Sequence, residues 1–406
     1  MSSTSSRTVR LALLALALGG FGIGTGEFVT LGLLPNVAAG LHVSIPRAGN
    51  LVSAYALGVV VGAPLLTGAA VRFARRRFLI VMALAMALGN LLSAVAPNFT
   101  TLLIVRFLTG LPHGAYFGVA SVVAGSLVSR ERRSFAMAMV FAGLTVANIV
   151  GVPLSTLIGQ HAGWRVVYAL VGVIEVLAAL AVLTRVPARQ AEAAPEDANL
   201  RQELRAFRQP QIWLCLGIAT IAGAALFCTF SYIAPMMTHV AHYSPAAITP
   251  LLVLFGIGMT GGNLLGARFA DRALMRTVCF SIVGMIMVAV AFYFGANNKL
   301  ASAALILLFP ACSLGMLPGL QSRIVALAGG APNLAAASIQ AAFNVANSLG
   351  AWLGGLAIAD GLGYSSPNLV AAGLAAAGLV IALCFARLAA RQRDAVPGNI
   401  CLEAAQ

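Results

Sequence analysis

Charge is what this chain has least of. Asp, Glu, Lys and Arg make up only 9% of its 406 residues, where a water-soluble surface needs about 25%. Lys299 is the only lysine, and there are 11 acidic residues in all. Such a chain cannot clothe a soluble globular domain. Cysteine is sparse too: Cys215, Cys228, Cys279, Cys312, Cys384 and Cys401 all lie beyond residue 214. Five sit in or beside apolar segments and Cys401 is in the tail. With no metal-ligand spacing, and none in the loops assigned outside the cell, they predict neither a disulfide framework nor a metal site. Also missing are a His-Glu-x-x-His zinc motif and a Gly-x4-Gly-Lys-Ser/Thr phosphate loop. No nucleophile and base pair stands out, so an enzyme is not expected. Any transport must draw on a gradient rather than on a bound nucleotide.

What is there is hydrocarbon. Hydrophobic residues reach 60% and mean hydropathy is +0.94. A helix needs about 20 apolar residues to cross a bilayer. With that window the sequence predicts spans near 11–35, 48–70, 78–96, 101–126, 134–158 and 165–185, then near 212–236, 247–270, 275–295, 300–320, 334–357 and 368–388. Continuous apolar runs of this length exclude a barrel, whose strands alternate over about ten residues. The first run is too long for the core of a cleavable signal peptide and leads straight into further spans.

The net charge of +14 is not a nucleic-acid footprint, because arginines fall in short clusters between the apolar runs. With both termini cytoplasmic, Arg47, Arg165 and Lys299 are outside and Arg106 is within a span; the other 21 of the 25 basic residues are inside. That bias predicts a multi-pass protein of a bacterial cytoplasmic membrane.

The halves echo each other. Pro35 matches Pro235, Gly58 matches Gly258, Gly62 matches Gly262 and Arg72 matches Arg272, each 200 residues apart; Ala147-Asn148-x-x-Gly151 recurs as Ala346-Asn347-x-x-Gly350, offset by 199. Between the halves lies the one long polar stretch, VPARQAEAAPEDANLRQELRAFRQP. The expected organisation is a six-helix bundle over 1–185, a cytoplasmic linker over 186–210, a second six-helix bundle over 211–392 and a tail over 393–406. Internal repeats with substrate at their interface are a common plan of secondary transporters.

Against this background three charges stand out: Glu27 in the first run, Arg106 in the fourth and Glu175 in the sixth. A charge at membrane depth costs about 2.5–3.5 kcal/mol on insertion scales and marks function by default. Glu27 is the expected proton site, with a structural ion pair as the competing reading. Arginine does not lose its proton, so Arg106 is expected to tune an acid or hold an anion. It heads a helical face of Gly110, His113, Gly114, Phe117 and Ser121, at period 3.6. His113 is a relay or, preferred here, an interhelical donor; Pro112 should bend the helix. Glu175 has no partner nameable from sequence and stays open between a second protonation site and a carboxyl that merely stays protonated. Gln340, Asn344 and Asn347 share one face of the eleventh span, fitting either a solute or interhelical bonding. With Tyr55, His113, Phe117, Asn148, Phe230 and Tyr232 they make up the expected cavity lining. His239 and His242 are expected to be solvated loop residues.

Three of these segments carry a resemblance. Gly26-Glu27-Phe-Val-x-x-Gly-Leu-Leu-Pro35, Arg106-Phe-Leu-Thr-Gly110-Leu-Pro-His-Gly114 and Ala147-Asn148-Ile-Val-Gly151-Val-Pro153-Leu-Ser-Thr-Leu-Ile-Gly159 resemble the first-, fourth- and fifth-span motifs of the major facilitator superfamily. Within it the chain is similar to 12-span drug:H+ antiporters of the arabinose-efflux and chloramphenicol-resistance type, over residues 10–390. The resemblance implies proton coupling through Glu27 and Arg106, and an antiporter motif in Asn148, Gly151, Pro153 and Gly159. Pro153 and small Gly151 also predict a bent, closely packed helix. One motif departs from the family: the loop after the second span, usually Gly-x-x-x-Asp-Arg-x-Gly-Arg-Arg, here has Thr67, Val71 and Ala74 at its Gly, Asp and second Gly positions. This puts the charge contact of that Asp in doubt, while Arg72, Arg75 and Arg76 remain, and the second-half loop keeps Asp271-Arg272 after Gly266.

The sequence therefore predicts an all-α membrane protein of 12 helices in two pseudo-symmetric bundles. It would act as a monomer in lipid, exporting a small drug-like solute of chloramphenicol type in exchange for protons, with no cofactor, metal or nucleic acid. The alternatives are export of a sugar, nucleoside or amino-acid metabolite, or a transport-inactive sensor on the same fold.

Overall fold

The computed structural model describes residues 6–70, 73–129, 132–187, 208–327 and 332–394. Among them are 12 helices long and apolar enough to span a membrane. Those of the first half are Ser6–Gly32, Ile45–Leu66, Arg75–Ala94, Phe99–Ser126, Phe135–Ala162 and Trp164–Arg185. Those of the second are Pro210–Phe230, Pro245–Ala270, Arg272–Gly295, Lys299–Leu327, Ser338–Ala359 and Ser366–Leu388. They are numbered here as the first to twelfth spans. All twelve overlap the runs predicted from sequence. The reason is that hydrocarbon offers the backbone no partner, so each crossing segment must satisfy its own N–H and C=O groups as a helix. The outer faces are correspondingly apolar, with Leu65, Phe280 and Leu300 exposed.

The breaks have local causes. The first span stops at Gly32, and a short helix Leu34–Gly40 with Pro35 in its first turn carries the chain to the next. Gly163, at φ 91°, turns the fifth span into the sixth. A helix running from Ile248 to Gly295 is divided at Ala273, whose φ of −155° and ψ of 76° separate the eighth span from the ninth. Phe99–Ser126 continues through Pro112 as one helix.

Packing repeats with the sequence. The second span packs on the fourth as the eighth does on the tenth, and the first on the fifth as the seventh on the eleventh. The detail repeats too. A Cβ on Gly58 would strike the carbonyl oxygen of Phe107, and one on Gly62 that of Leu111; Gly258 stands likewise against Leu307 and Gly262 against Ala311. Each partner is displaced by the same 200 residues as its glycine. Asn98 and Asn298 cap the fourth and tenth spans alike, accepting from Thr101 N at 2.9 Å and Ala301 N at 3.0 Å. His42 and His242 both take φ 53° in the loops before the second and eighth spans.

The fifth span changes its winding at its motif. Ala147–Gly151 forms one turn of π-helix ahead of Pro153, a local widening that accommodates the missing proline N–H. Gly143 and Gly151 face the first span, where a Cβ would meet Ala17 O and Thr25 Oγ1, and Gly159 faces Leu33 just beyond it.

The halves are tied together at the end away from the termini. Ser53 Oγ donates to Ser348 O at 3.0 Å, and Gln160 Nε2 donates to Pro245 O at 2.8 Å. Tyr232 donates to Ala351 O at 2.8 Å while its hydroxyl stands against Gly49 of the first half.

Candidate functional site

Glu27, Arg106 and Glu175 all turn inward. Glu27 is 4% exposed, Arg106 0% and Glu175 2%. Glu27 sits at the seam between halves. Its Oε1 accepts a hydrogen bond from Asn347 Nδ2 of the eleventh span at 3.1 Å, and its Oε2 lies 4.0 Å from His113 Nδ1. His113 is in turn 3.2 Å from the hydroxyl of Tyr55. Glu27 is thus reached from the second, fourth and eleventh spans in one connected group.

Arg106 lies behind this group. Its guanidinium carbon is 4.3 Å from the ring centroid of Tyr55 and 5.4 Å from that of Tyr168. Cation–π contact holds it at close range, because Nε, Nη1 and Nη2 are all buried without a hydrogen-bond partner. Tyr168 is held by a 2.7 Å bond between its hydroxyl and that of Thr30. The charge of Arg106 acts on Glu27 and Glu175 alike. Glu175 accepts from Asn90 Nδ2 at 2.9 Å, and Asn90 also donates to Met86 O at 3.2 Å within its own helix. Gly22 of the first span leaves room for Glu175: a Cβ there would stand 3.0 Å from Glu175 Cγ.

Next to Glu27 the seam is aromatic. Phe28 stacks on Phe227 at 6.3 Å and meets Phe230 at 6.0 Å, while Phe230 stacks on Phe255 at 3.9 Å. In the first half His113 contacts Phe117 at 5.3 Å, and Phe117 stacks on Phe141 at 4.9 Å.

Most residues expected at the site are brought to the seam or beside it, in varied surroundings. Asn347 holds Glu27, whereas Asn344 donates to Gln340 O and Asn148 to Leu144 O, each within its own helix. Gln340 is half-buried. Tyr232 is packed into the tie between halves rather than facing open space. Among the loop arginines, Arg76 donates to Leu183 O, Arg75 is half-buried and Arg272 is exposed. Arg72 and the Asp271 side chain lie outside the described residues, as does most of the 186–210 linker. His239 and His242 are exposed, and His239 stacks on Tyr364 at 4.8 Å. Asn90, Tyr168 and Thr30 were not expected. The signal for them was present in part: Tyr168 and Glu175 are seven apart and so share a helix face. A cleft of about 640 Å³ lined by Pro35, Pro46, His239 and Tyr364 opens at the end away from the termini, and none of the charged cluster lines it.

The chain is similar to known transporters along its whole length. The Major Facilitator Superfamily profile matches residues 16–332. The inner membrane transport protein YdhP of Escherichia coli K12 is 40% identical over 394 residues, covering 97% of this chain and 99% of that protein. The chloramphenicol resistance protein of Streptomyces lividans is 33% identical over 376 residues, with 92% and 94% covered. The putative transporter AraJ of Escherichia coli K12 is 32% identical, with 96% and 98% covered. Among solved structures, an inward-facing bacterial homologue of the lysosomal transporter Spinster superposes with a TM-score of 0.76 at 18% identity, over 96% of this chain and 98% of that one. The xylose transporter XylE of Escherichia coli, partially occluded and inward-open, gives 0.70 at 14%, over 94% and 98%. The twelve spans, their twofold repeat and these relatives agree: the chain is a multi-pass membrane transporter and belongs to the Major Facilitator Superfamily.

Proposed function

We propose that this transporter is a proton-coupled exporter of a small drug-like solute, and that Glu27 is its proton site. The observation that carries the reading is the place of Glu27: a carboxylate buried at the seam, bonded to Asn347 of the opposite half. A hydrogen bond to an ionised acceptor is roughly twice as strong as a neutral one. Ionised Glu27 therefore holds the halves together as they stand, helped by the Arg106 charge behind it. Protonation weakens the bond to Asn347 and removes the attraction to Arg106, so it favours parting of the seam. Binding the proton and rearranging the halves become one event, as alternating access requires.

The side follows from the arginines. With the termini cytoplasmic, the ties at Ser53, Gln160 and Tyr232 close the external end, and the solute enters from the cytoplasm between the bundles. Phe28, Phe227, Phe230 and Phe255 offer flat apolar surface to it, with Asn344 and Gln340 as polar groups nearby. The 33% identity to a chloramphenicol resistance protein supports a solute of that class. No cofactor enters the scheme, and one chain suffices for it.

The test uses inside-out vesicles from an exporter-deficient host, energised to an acid interior and followed with a pH-sensitive dye. Adding chloramphenicol should release protons from vesicles carrying the wild type and not from those carrying Glu27→Gln. Competition by sugars, nucleosides or amino acids in place of the antibiotic points to metabolite export. Proton release equal in both proteins removes Glu27 from the coupling role.

A further inference from the structure

Glu175 has no task in that scheme, yet it is buried, hydrogen-bonded and in the field of the same arginine. We propose that Glu175 is a second proton-binding carboxylate, sharing Arg106 with Glu27 so that the cluster keeps one proton distributed between the two acids. This deepens the proposed function and rests on Glu27 being able to titrate.

The argument begins with charge. Two ionised carboxylates and one guanidinium leave a net charge of −1 in a region without water-exposed partners. Two protonated carboxylates leave +1. Only the states with a single proton are neutral, and a low-dielectric interior favours neutrality strongly. Two such states place the proton on a carboxylate, with His113, 4.0 Å from Glu27, as the neutral imidazole. In one Glu27 holds the proton and Glu175 is the counter-ion of Arg106; in the other the roles are exchanged. The guanidinium is free to serve both, because its three nitrogens are buried with no hydrogen-bond partner and its anchors are the faces of Tyr55 and Tyr168. A cation held by ring faces turns between two carboxylates without breaking a bidentate pair.

Among the described residues, the groups that interact with Glu175 include one cation, Arg106. The third span offers Asn90, the fourth Arg106 and Tyr116, the second Tyr55 and the first Gly22. Arg106 is the only cation of this group. Position gives the second site a purpose. Glu175 is level with Gly22, five residues before Glu27 on the first span, or about 7 Å nearer the termini. It also lies inside the first bundle, among the first, third, fourth and sixth spans, whereas Glu27 faces the seam. A proton held at Glu175 is out of the way of a solute between the halves.

The test is infrared spectroscopy of the purified full-length protein in lipid vesicles at neutral pH, with no solute added. The readout is the carbonyl stretch of protonated carboxyl groups, taken as differences between variants so that all other carboxyls cancel. Glu27→Gln and Glu175→Gln should each lose the band of one carboxyl, since in either variant the remaining acid pairs with Arg106 and ionises. Arg106→Gln should gain one, a twofold rise. Glu175→Asp keeps the carboxyl and should keep the band, which covers the case of a Gln variant that does not fold. If Glu27→Gln retains the band, Glu175 is permanently protonated packing and the proposal fails. If Glu175→Gln retains it, the proton resides elsewhere and the proposal fails equally. Neither result touches the vesicle experiment on Glu27, where failure shows as equal solute-driven proton release from wild type and Glu27→Gln, whatever this spectrum shows.

Discussion

The two halves share one architecture and carry two chemistries. Glycines, caps and span pairings recur at a common offset, but the charges do not. The residues 200 positions after Glu27, Tyr55, Arg106 and His113 are Phe227, Phe255, Ile306 and Ser313. Within the described spans of the second half, charged residues occur only near helix ends: Arg268, Arg272, Arg276, Lys299, Arg323 and Arg387. Symmetry in packing thus survives where it builds the bundle. It is absent where the buried charges cluster. Placing the buried charges of the described residues in one half confines the cost of burial to one cluster, whose members partly neutralise each other. The other half contributes apolar and aromatic surface and a single amide, Asn347, which reaches across to Glu27.

Substitutions made in pairs test that contrast. The largest effect is expected from Glu27→Gln against Phe227→Gln. The first should reduce gradient-driven accumulation of chloramphenicol to that of protein-free vesicles, while the second, at a residue proposed to face the solute, weakens transport but leaves what remains dependent on the gradient; loss of gradient dependence in both would erase the asymmetry. Next, Ile306→Arg puts the fourth-span charge into the half that lacks acids. It should destabilise the protein by about 3 kcal/mol, seen as a lower melting temperature in detergent. A variant as stable as wild type would mean the second half tolerates charge as the first does.

The architectural symmetry makes the opposite forecast. Gly58→Ala and Gly258→Ala each drive a methyl group into a carbonyl oxygen of the paired span, so both should cost about 1–3 kcal/mol, and by similar amounts. Asn347→Ala strips Glu27 of a charge-assisted bond, for about 1.5–3 kcal/mol, whereas Asn148→Ala loses only a bond within its own helix, for about 1 kcal/mol. Last come the caps: Asn98→Ala and Asn298→Ala should each cost about 1 kcal/mol. A large difference between the two caps, or between the two glycines, would show that the repeat is geometric only.

The spans were legible because a bilayer demands the same thing of every crossing segment, and a window of apolar residues reports it directly. The repeat was legible for a related reason. Gly58 and Gly62 admit a neighbouring carbonyl where any Cβ would collide, so the same requirement leaves glycine at the same register in each half. Glu27, Arg106 and Glu175 announced themselves as charges in hydrocarbon. Their partners did not. Asn90 and Tyr168 belong to spans whose rotation relative to the fourth is decided by packing, and a polar residue in a span reads equally well as interhelical bonding. Asn347 was visible as part of an amide face, but which amide crosses the seam depends on how the halves dock. That is a property of tertiary structure that no local pattern encodes. Tyr232, expected as lining, is buried in the tie for the same reason.

The central claim is that Glu27 makes transport depend on protons without being needed for movement of the solute itself. It is tested most directly in proteoliposomes by comparing two modes for wild type and Glu27→Gln: accumulation of labelled chloramphenicol under an imposed pH gradient, and exchange of labelled for unlabelled solute with no gradient. The account predicts that Glu27→Gln loses accumulation and keeps exchange. Accumulation that persists in Glu27→Gln at the wild-type level would contradict it.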